Sequence, residues 1–262
     1  MPLKSTSSLR SIFQITAVVL FCASPALAQV EINQRKALSG VGRGDSHGYP
    51  LILGPGSYKL TSDLIATGDP SLQHAVVLAD NGAGVTLDLN GFTIQTDVVA
   101  IRVLNPLATI RNGNISAYLG VEAAGGGHVR VEAVRMEVSW SGVATAGATE
   151  SKADLEVVDC RVRVARNDGI GILAGGNLTA MRNFLDGANK AIVVADPAKS
   201  GLVLHNIVVF AHLRGLEAAG PFVGFAHNMF RVLAEETAVV GGTNLGGNLC
   251  GDTSGFNPPH GC

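Results

Sequence analysis

The chain is short of charge, of aromatic rings and of long apolar runs. Asp, Glu, Lys and Arg make up only 15% of its 262 residues, too few to supply amphipathic helices with charged faces. A mostly helical fold is excluded on that ground. The formal net charge is −2, so no excess of cations draws the chain to nucleic acid or to an anionic lipid surface. Past the N-terminal segment, no apolar run is long and unbroken enough to span a bilayer. What the chain does have is glycine, 33 residues of it, which fits many short strands joined by tight turns.

The first segment reads as a targeting signal rather than as fold. Lys4 and Arg10 precede an apolar run from Ile12 to Phe21 that is too short for a membrane span, and Ala26-Leu27-Ala28 is a small-residue cleavage site. A signal peptide of residues 1–28 is therefore expected, bacterial in character, with the mature chain secreted or periplasmic. Cys22 lies inside the apolar run without the small residue that would mark a lipid attachment site. An exported chain can form disulfides. Cys250 and Cys262 flank a Gly/Pro-rich tail and are expected to pair, which leaves Cys160 as a lone buried thiol.

Between these ends the chain repeats. From Val85 to Leu89 apolar and polar residues alternate, the period of a strand with one buried face. Asn90-Gly91 turns the chain, and Phe92-Thr93-Ile94 resumes it. Strand-like runs start near Ala75, Ala100, Val121, Val143, Ile170, Ala191, Leu216 and Thr237, about 21 to 27 residues apart. No helical periodicity lies between them, which excludes alternating βαβ units. Asn112, Asn183, Asn206 and Asn228 fall at matching points, with Asn90 and Asn248 near the same register and Val134 and Cys160 filling the slot in the middle units. Coils stacked about 4.8 Å apart would let such Asn side chains bond one another along the axis. The expected division is a cap at 29–53 with a short helix near Glu31–Leu38 and an irregular stretch at 40–50, a solenoid at 54–249, and a tail at 250–262.

The Val85–Ile94 motif, the Asn ladder and the Gly-led unit starts at 120–121, 142–143, 169–170 and 215–216 resemble the parallel β-helix repeat proteins of the pectate-lyase-like superfold. The run from Glu31 to Pro50, with Gly56-Ser57-Tyr58, is similar to the cap of exported bacterial members without an assigned activity. The resemblance covers about residues 54–249. It implies an all-β, single-stranded, right-handed parallel β-helix. It implies no reaction, because this superfold carries lyases, hydrolases, epimerases, adhesins and binding proteins.

Active members present charged groups from the first strand of successive coils. Alternation places Val77, Arg102, Glu122, Ala144, Gly171, Val193 and Glu217 in that outward column, where only Arg102 and Glu122 are charged neighbours. Were the protein an enzyme, the pair would suit a polysaccharide lyase or epimerase, with Glu122 as base and Arg102 stabilising the anion. The same pair on neighbouring strands is also an ordinary surface ion pair worth up to about 1 kcal/mol. The Asp-Pro-His-Asp run of alginate epimerases and the polygalacturonase carboxylate set are missing, and no cluster of three carboxylates offers a calcium site. No metal or cofactor is expected.

The aromatics point to a sugar. Tyr118 and Trp140 each lie three residues before a unit start, so they should stack on neighbouring coils, with Asn167 as the next counterpart, followed by Asp168. Flat rings beside polar groups match a sugar's C–H face and its hydroxyls. His205 and His227 each precede a ladder Asn and should also stack, continuing a row with Asp159 and Arg182. With His212 in the following loop, three imidazoles would be needed for a transition metal, and an incidental surface row is the simpler reading. Glu137, Arg163, Asp186 and Arg231 form a second row of alternating charge that favours correct register without a ligand. The function expected from these residues is binding, with modification as an extension, of a polysaccharide along the solenoid face. The alternative is a non-catalytic envelope or extracellular module that binds a protein or matrix partner.

Overall fold

In the computed structural model, short strands pair with their equivalents one coil away, always in parallel. It describes residues 29–39, 49–69, 71–79, 82–104, 107–146, 153–233, 237–251 and 262. The expected signal peptide, residues 40–48 of the expected irregular stretch and residues 252–261 of the tail lie outside the described residues.

Leu51, Val76, Ile101, Val121, Val143, Ile172, Ile192, Leu216 and Val239 are successive partners on a first wall. Nine partners make eight coils. The shortest take 20 residues, from Ile101 to Val121 and from Ile172 to Ile192, and the longest 29, from Val143 to Ile172. A second wall runs through Gly56–Leu60, Val85–Asp88, Ala153–Val158, Leu178–Met181, Gly201–Leu204 and Val223–Ala226. The third includes Leu64–Ala66, Thr93–Thr96, Arg161–Val164, Phe184–Asp186, Ile207–Ala211 and Met229–Val232. Two long strands, Leu107–Ala123 and Gly127–Thr145, bend around all three walls. Pairing begins ahead of residue 54: Leu51–Leu53 pairs with His74–Leu78, and Val30–Ile32 pairs with Gly56–Leu60. The fold is thus an all-β parallel solenoid with almost no helix. Among the described residues, one helix of six residues occurs, Gln34–Ser39. Asn33 starts it, its side-chain oxygen accepting the Lys36 amide at 2.9 Å.

Inward residues of each wall stack into apolar columns, as the alternation requires. Val85, Leu87, Leu89 and Ile94 of the organising stretch are all buried. Fully burying one such side chain contributes about 1.5–3 kcal/mol, and a single coil has nothing to bury it against. Beside the first-wall column runs one of small residues. A Cβ on Gly142 would lie 2.5 Å from the Val162 side chain and 2.7 Å from the carbonyl oxygen of Gly171. The small column lets the third wall press its larger residues across the core.

Two columns make the turn between the second and third walls. In the outer one, Asn112, Ala133, Asp159, Arg182, His205 and His227 have φ between 53° and 58°. That conformation costs L residues about 1–2 kcal/mol each. The next residue inward offsets the strain. Asn206 donates to Asn228 Oδ1 at 3.0 Å and to the Ala180 carbonyl at 2.9 Å, and its own Oδ1 accepts from the Asn183 amide and side chain. Asn228 donates in the same way to Asn248. The ladder therefore runs Asn183, Asn206, Asn228, Asn248. Asn112 does not belong to it. It sits one residue early, in the positive-φ column, and Gly113 partners Val134 in the ladder slot. Asn90 likewise turns the chain at φ 51°, with Leu89 filling the core. Within the ladder coils the left-handed turn is taken by Arg182, His205 and His227, each just before a ladder Asn. Cys160 continues the slot, buried, its amide donating to Asn183 Oδ1 at 2.9 Å.

One expected register is wrong. Ala144 partners Leu173, not Gly171. Gly171 lies in the small column, where a Cβ would come within 2.5 Å of the Ala191 carbonyl oxygen and of the Leu185 side chain. The unit therefore starts at 171–172 rather than 169–170. The cause is the corner before it. Two residues separate Val138 from Ser141, but five separate their partners Val164 and Ile170.

Candidate functional site

That corner, between the third and first walls, builds the aromatic site. It holds one residue in the coil of Tyr118, between Ala117 and Leu119, two in the coil of Trp140, and five in the next. Tyr118 and Trp140 stack with ring centroids 6.3 Å apart and planes 8° from parallel. The extra residues of the third corner fold into a turn, Gly169 donating to the Arg166 carbonyl at 3.1 Å. This turn lays the Arg166 guanidinium over Trp140, 5.4 Å from the ring centroid. Asp168 holds Arg166 through two hydrogen bonds of 2.9 Å. The side chain stacked next to Trp140 is thus Arg166, which the spacing argument overlooked. Asn167 lines the groove together with Tyr118.

A groove of about 610 Å³ runs along this corner. Tyr118, 40% exposed, and Asn167 line it with Asp97, Ser139, His212 and the row Ser116, Glu137, Arg163, Asp186. That row occupies successive strands, so it spans three spacings of about 4.8 Å, about 14 Å. Arg163 acts on Glu137 through space, but the closest partner of Glu137 lies on its own strand. Glu137 pairs along its own strand with Arg135 at 2.8 Å, and the Arg135 hydrogen bond holds its carboxyl below the usual range. Among the described residues, Arg163, Asn167 and Asp186 make no side-chain hydrogen bond or ion pair. Their polar atoms face the groove open. A ring at one edge, backed by Trp140, and unengaged donors and acceptors along the floor are what a hydroxyl-rich ligand needs.

Arg102 and Glu122 lie elsewhere, on the first wall, and do not line the groove. They are partners, with Arg102 Nε 3.4 Å from a Glu122 oxygen. A third member, missed in the sequence, joins them: Arg102 Nη1 lies 2.9 Å from His74 Nε2. A guanidinium only donates, so His74 accepts there and its ring is neutral. Burial, then the Arg102 charge, push the His74 pKa down; Glu122 opposes them. The lone pair that would take a proton from a substrate is already engaged. Further along the same column Lys190 pairs with Glu217 at 2.8 Å.

The remaining candidates are placed as follows. His205 and His227 stack at 5.1 Å, 7° from parallel, and Asp159 pairs with Arg182 at 2.7 Å in the same row. His212 lines the aromatic groove instead. Among the described residues, no group of three or more His, Cys, Asp or Glu side chains is gathered to hold a metal. Cys160 is buried, and burial pushes its thiol up to about 11. Cys250 and Cys262 are disulfide-bonded, with Cα atoms 5.8 Å apart. Among the described residues, no helix is long and apolar enough to cross a membrane. Compared with protein-family models, with curated proteins and with solved structures, the chain finds no match.

Proposed function

We propose that this is an exported solenoid that binds a polysaccharide in the groove beside Tyr118. The observation that carries the reading is the Tyr118–Trp140 stack at the edge of a groove whose Arg163, Asn167 and Asp186 side chains stand open. The signal-like segment at 1–28 supports export. We take the coil as right-handed, the hand that parallel crossovers adopt in about 98% of cases, and the helix Gln34–Ser39 as closing the N-terminal end. The activity we assign is binding rather than turnover, because Arg102, Glu122 and His74 occupy one another on a different wall.

The test is retention on a panel of immobilised glycans, wild type against Trp140→Ala. Wild type should bind at least one polymer, and the substitution should weaken that binding about tenfold, as expected for losing a ring contact and the order it imposes on Tyr118 and Arg166. A glycan signal unchanged by Trp140→Ala would sink the reading, provided both proteins unfold at similar temperatures. A second reading, a protein-contact module, is favoured by Leu202, Leu245 and Leu249, which are exposed near the C-terminal end of the solenoid. Substituting Leu245 and Leu249 by Ser should leave glycan retention intact if the groove is the site.

A further inference from the structure

We infer that the groove is built for an uncharged polysaccharide and rejects polyuronates, the substrates that an Arg–Glu pair on such a solenoid would otherwise bring to mind. The inference rests on the glycan reading above and names the class of ligand. It comes from the order of charges along the floor. Glu137, Arg163 and Asp186 stand on three successive strands, with Asp97 at the near end of the groove.

A polyuronate carries a carboxylate on every ring, at a spacing of the same order as the coils. A chain lying along the groove that sets one carboxylate on Arg163 sets its neighbours against Glu137 on one side and Asp186 on the other. Like charges placed directly opposite are unfavourable. Protonation does not relieve the conflict at Glu137, because the Arg135 hydrogen bond keeps that carboxyl ionised below the usual range.

Recognition of a polyanion also needs several open cations. Around this site most cations are already engaged, and Arg161 lies over the Phe184 ring, 5.0 Å from its centroid. Arg166 is held by Asp168, Arg135 by Glu137, and on the first wall Arg102 by Glu122 and Lys190 by Glu217. Among the described residues that line the groove, Arg163 is the one arginine or lysine. Hydroxyls fit the same floor without conflict. They donate to Glu137, Asp186 and Asp97, and they accept from Arg163 and from the Asn167 amide. A sugar ring placed beside Tyr118 adds its C–H face.

The experiment measures dissociation constants of the full chain for soluble neutral polymers (a β-glucan, a galactomannan, a xylan free of acid groups) and for polygalacturonate and alginate. Each is measured at low salt and at about 1 M salt, where charges are screened beyond about 3 Å. At least one neutral polymer should bind about tenfold or more tighter than either uronate at low salt, and the gap should narrow at high salt. The Glu137→Gln, Asp186→Asn double variant should gain uronate binding about tenfold, with an unchanged unfolding temperature showing that it is folded. A uronate bound by wild type as tightly as any neutral polymer overturns the charge argument and leaves the glycan reading standing. A double variant that unfolds at the wild-type temperature and gains nothing on uronates overturns the charge argument as well. Failure of every polymer, neutral and acidic, overturns the glycan reading itself.

Discussion

His74 shows how much one side chain can hide from a sequence. Alternation identified Arg102 and Glu122 as outward neighbours, because the strand period fixes them. His74 lies three residues before Val77, the strand partner of Arg102, and reaches the pair only through its ring. No spacing rule finds such a contact. Arg166 escaped for a related reason, since its corner holds more residues than the one it was compared with. The environment of His74 has a measurable effect. Its pKa is lowered in the folded chain, so the unfolded chain takes up its proton first as the pH falls. The stability it contributes is complete above the unfolded value of about 6.5 and is lost as pH falls from there toward the folded value. Urea midpoints should therefore drop between pH 7 and pH 5.5, and His74→Gln should flatten that part of the profile. An unchanged slope would show that other groups set it.

At the scale of the element, the turn between the second and third walls is the most determined piece of the fold. The column at positive φ and the amide ladder beside it form one device, in which strain in the outer residue is held by hydrogen bonds of the inner one. Asn206→Leu removes four side-chain hydrogen bonds and leaves the Asn183 amide and the Ala180 carbonyl short of a partner. The expected loss is roughly 3 kcal/mol, at the upper end for unsatisfied buried groups, read as a lower urea midpoint with no change in fold. Asn183, Asn206 and Asn228 were legible because a polar residue recurs at a fixed point in a buried column. Asn112 misled because its coil puts Gly113 in the slot and uses the Asn for the turn itself. Asn suits both positions, so composition cannot separate them.

For the whole molecule, the repeat was legible and its exact winding was not. Coils of 20 to 29 residues keep one period only on average. The excess sits at corners, and the five-residue corner before Ile170 slipped the expected column by two residues at Gly171. Function is less legible than fold for the same reason. Core columns repeat and confirm one another, whereas the groove draws on corner residues that occur once each. The far end is fastened by Cys250, which partners Phe230 of the buried column and is joined to Cys262 across a separation of 12 residues. Closing a loop of that length contributes about 3 kcal/mol in the chain-entropy account. In a solenoid each coil contacts only its neighbours, so the loss on replacing both cysteines by Ser should stay local. Amide exchange should quicken across Thr243–Gly246 and Leu249–Gly251 and hold steady in Val85–Asp88. Uniform acceleration along the chain would contradict this.

The ladder has one more property. Asn183 donates to Asn206, Asn206 to Asn228, and Asn228 to Asn248, always in the same sense. Strand backbones send N–H and C=O groups both ways along the axis, so their dipoles largely cancel. The amides do not. Each oxygen faces the N-terminal coil and one N–H faces the C-terminal one, while the second N–H turns back to a carbonyl of the preceding coil, and each amide polarises the next. The ladder therefore has a donor-to-acceptor sense of its own as well as a chain direction, and it ends at Asn248, one residue from the edge strand that carries the disulfide.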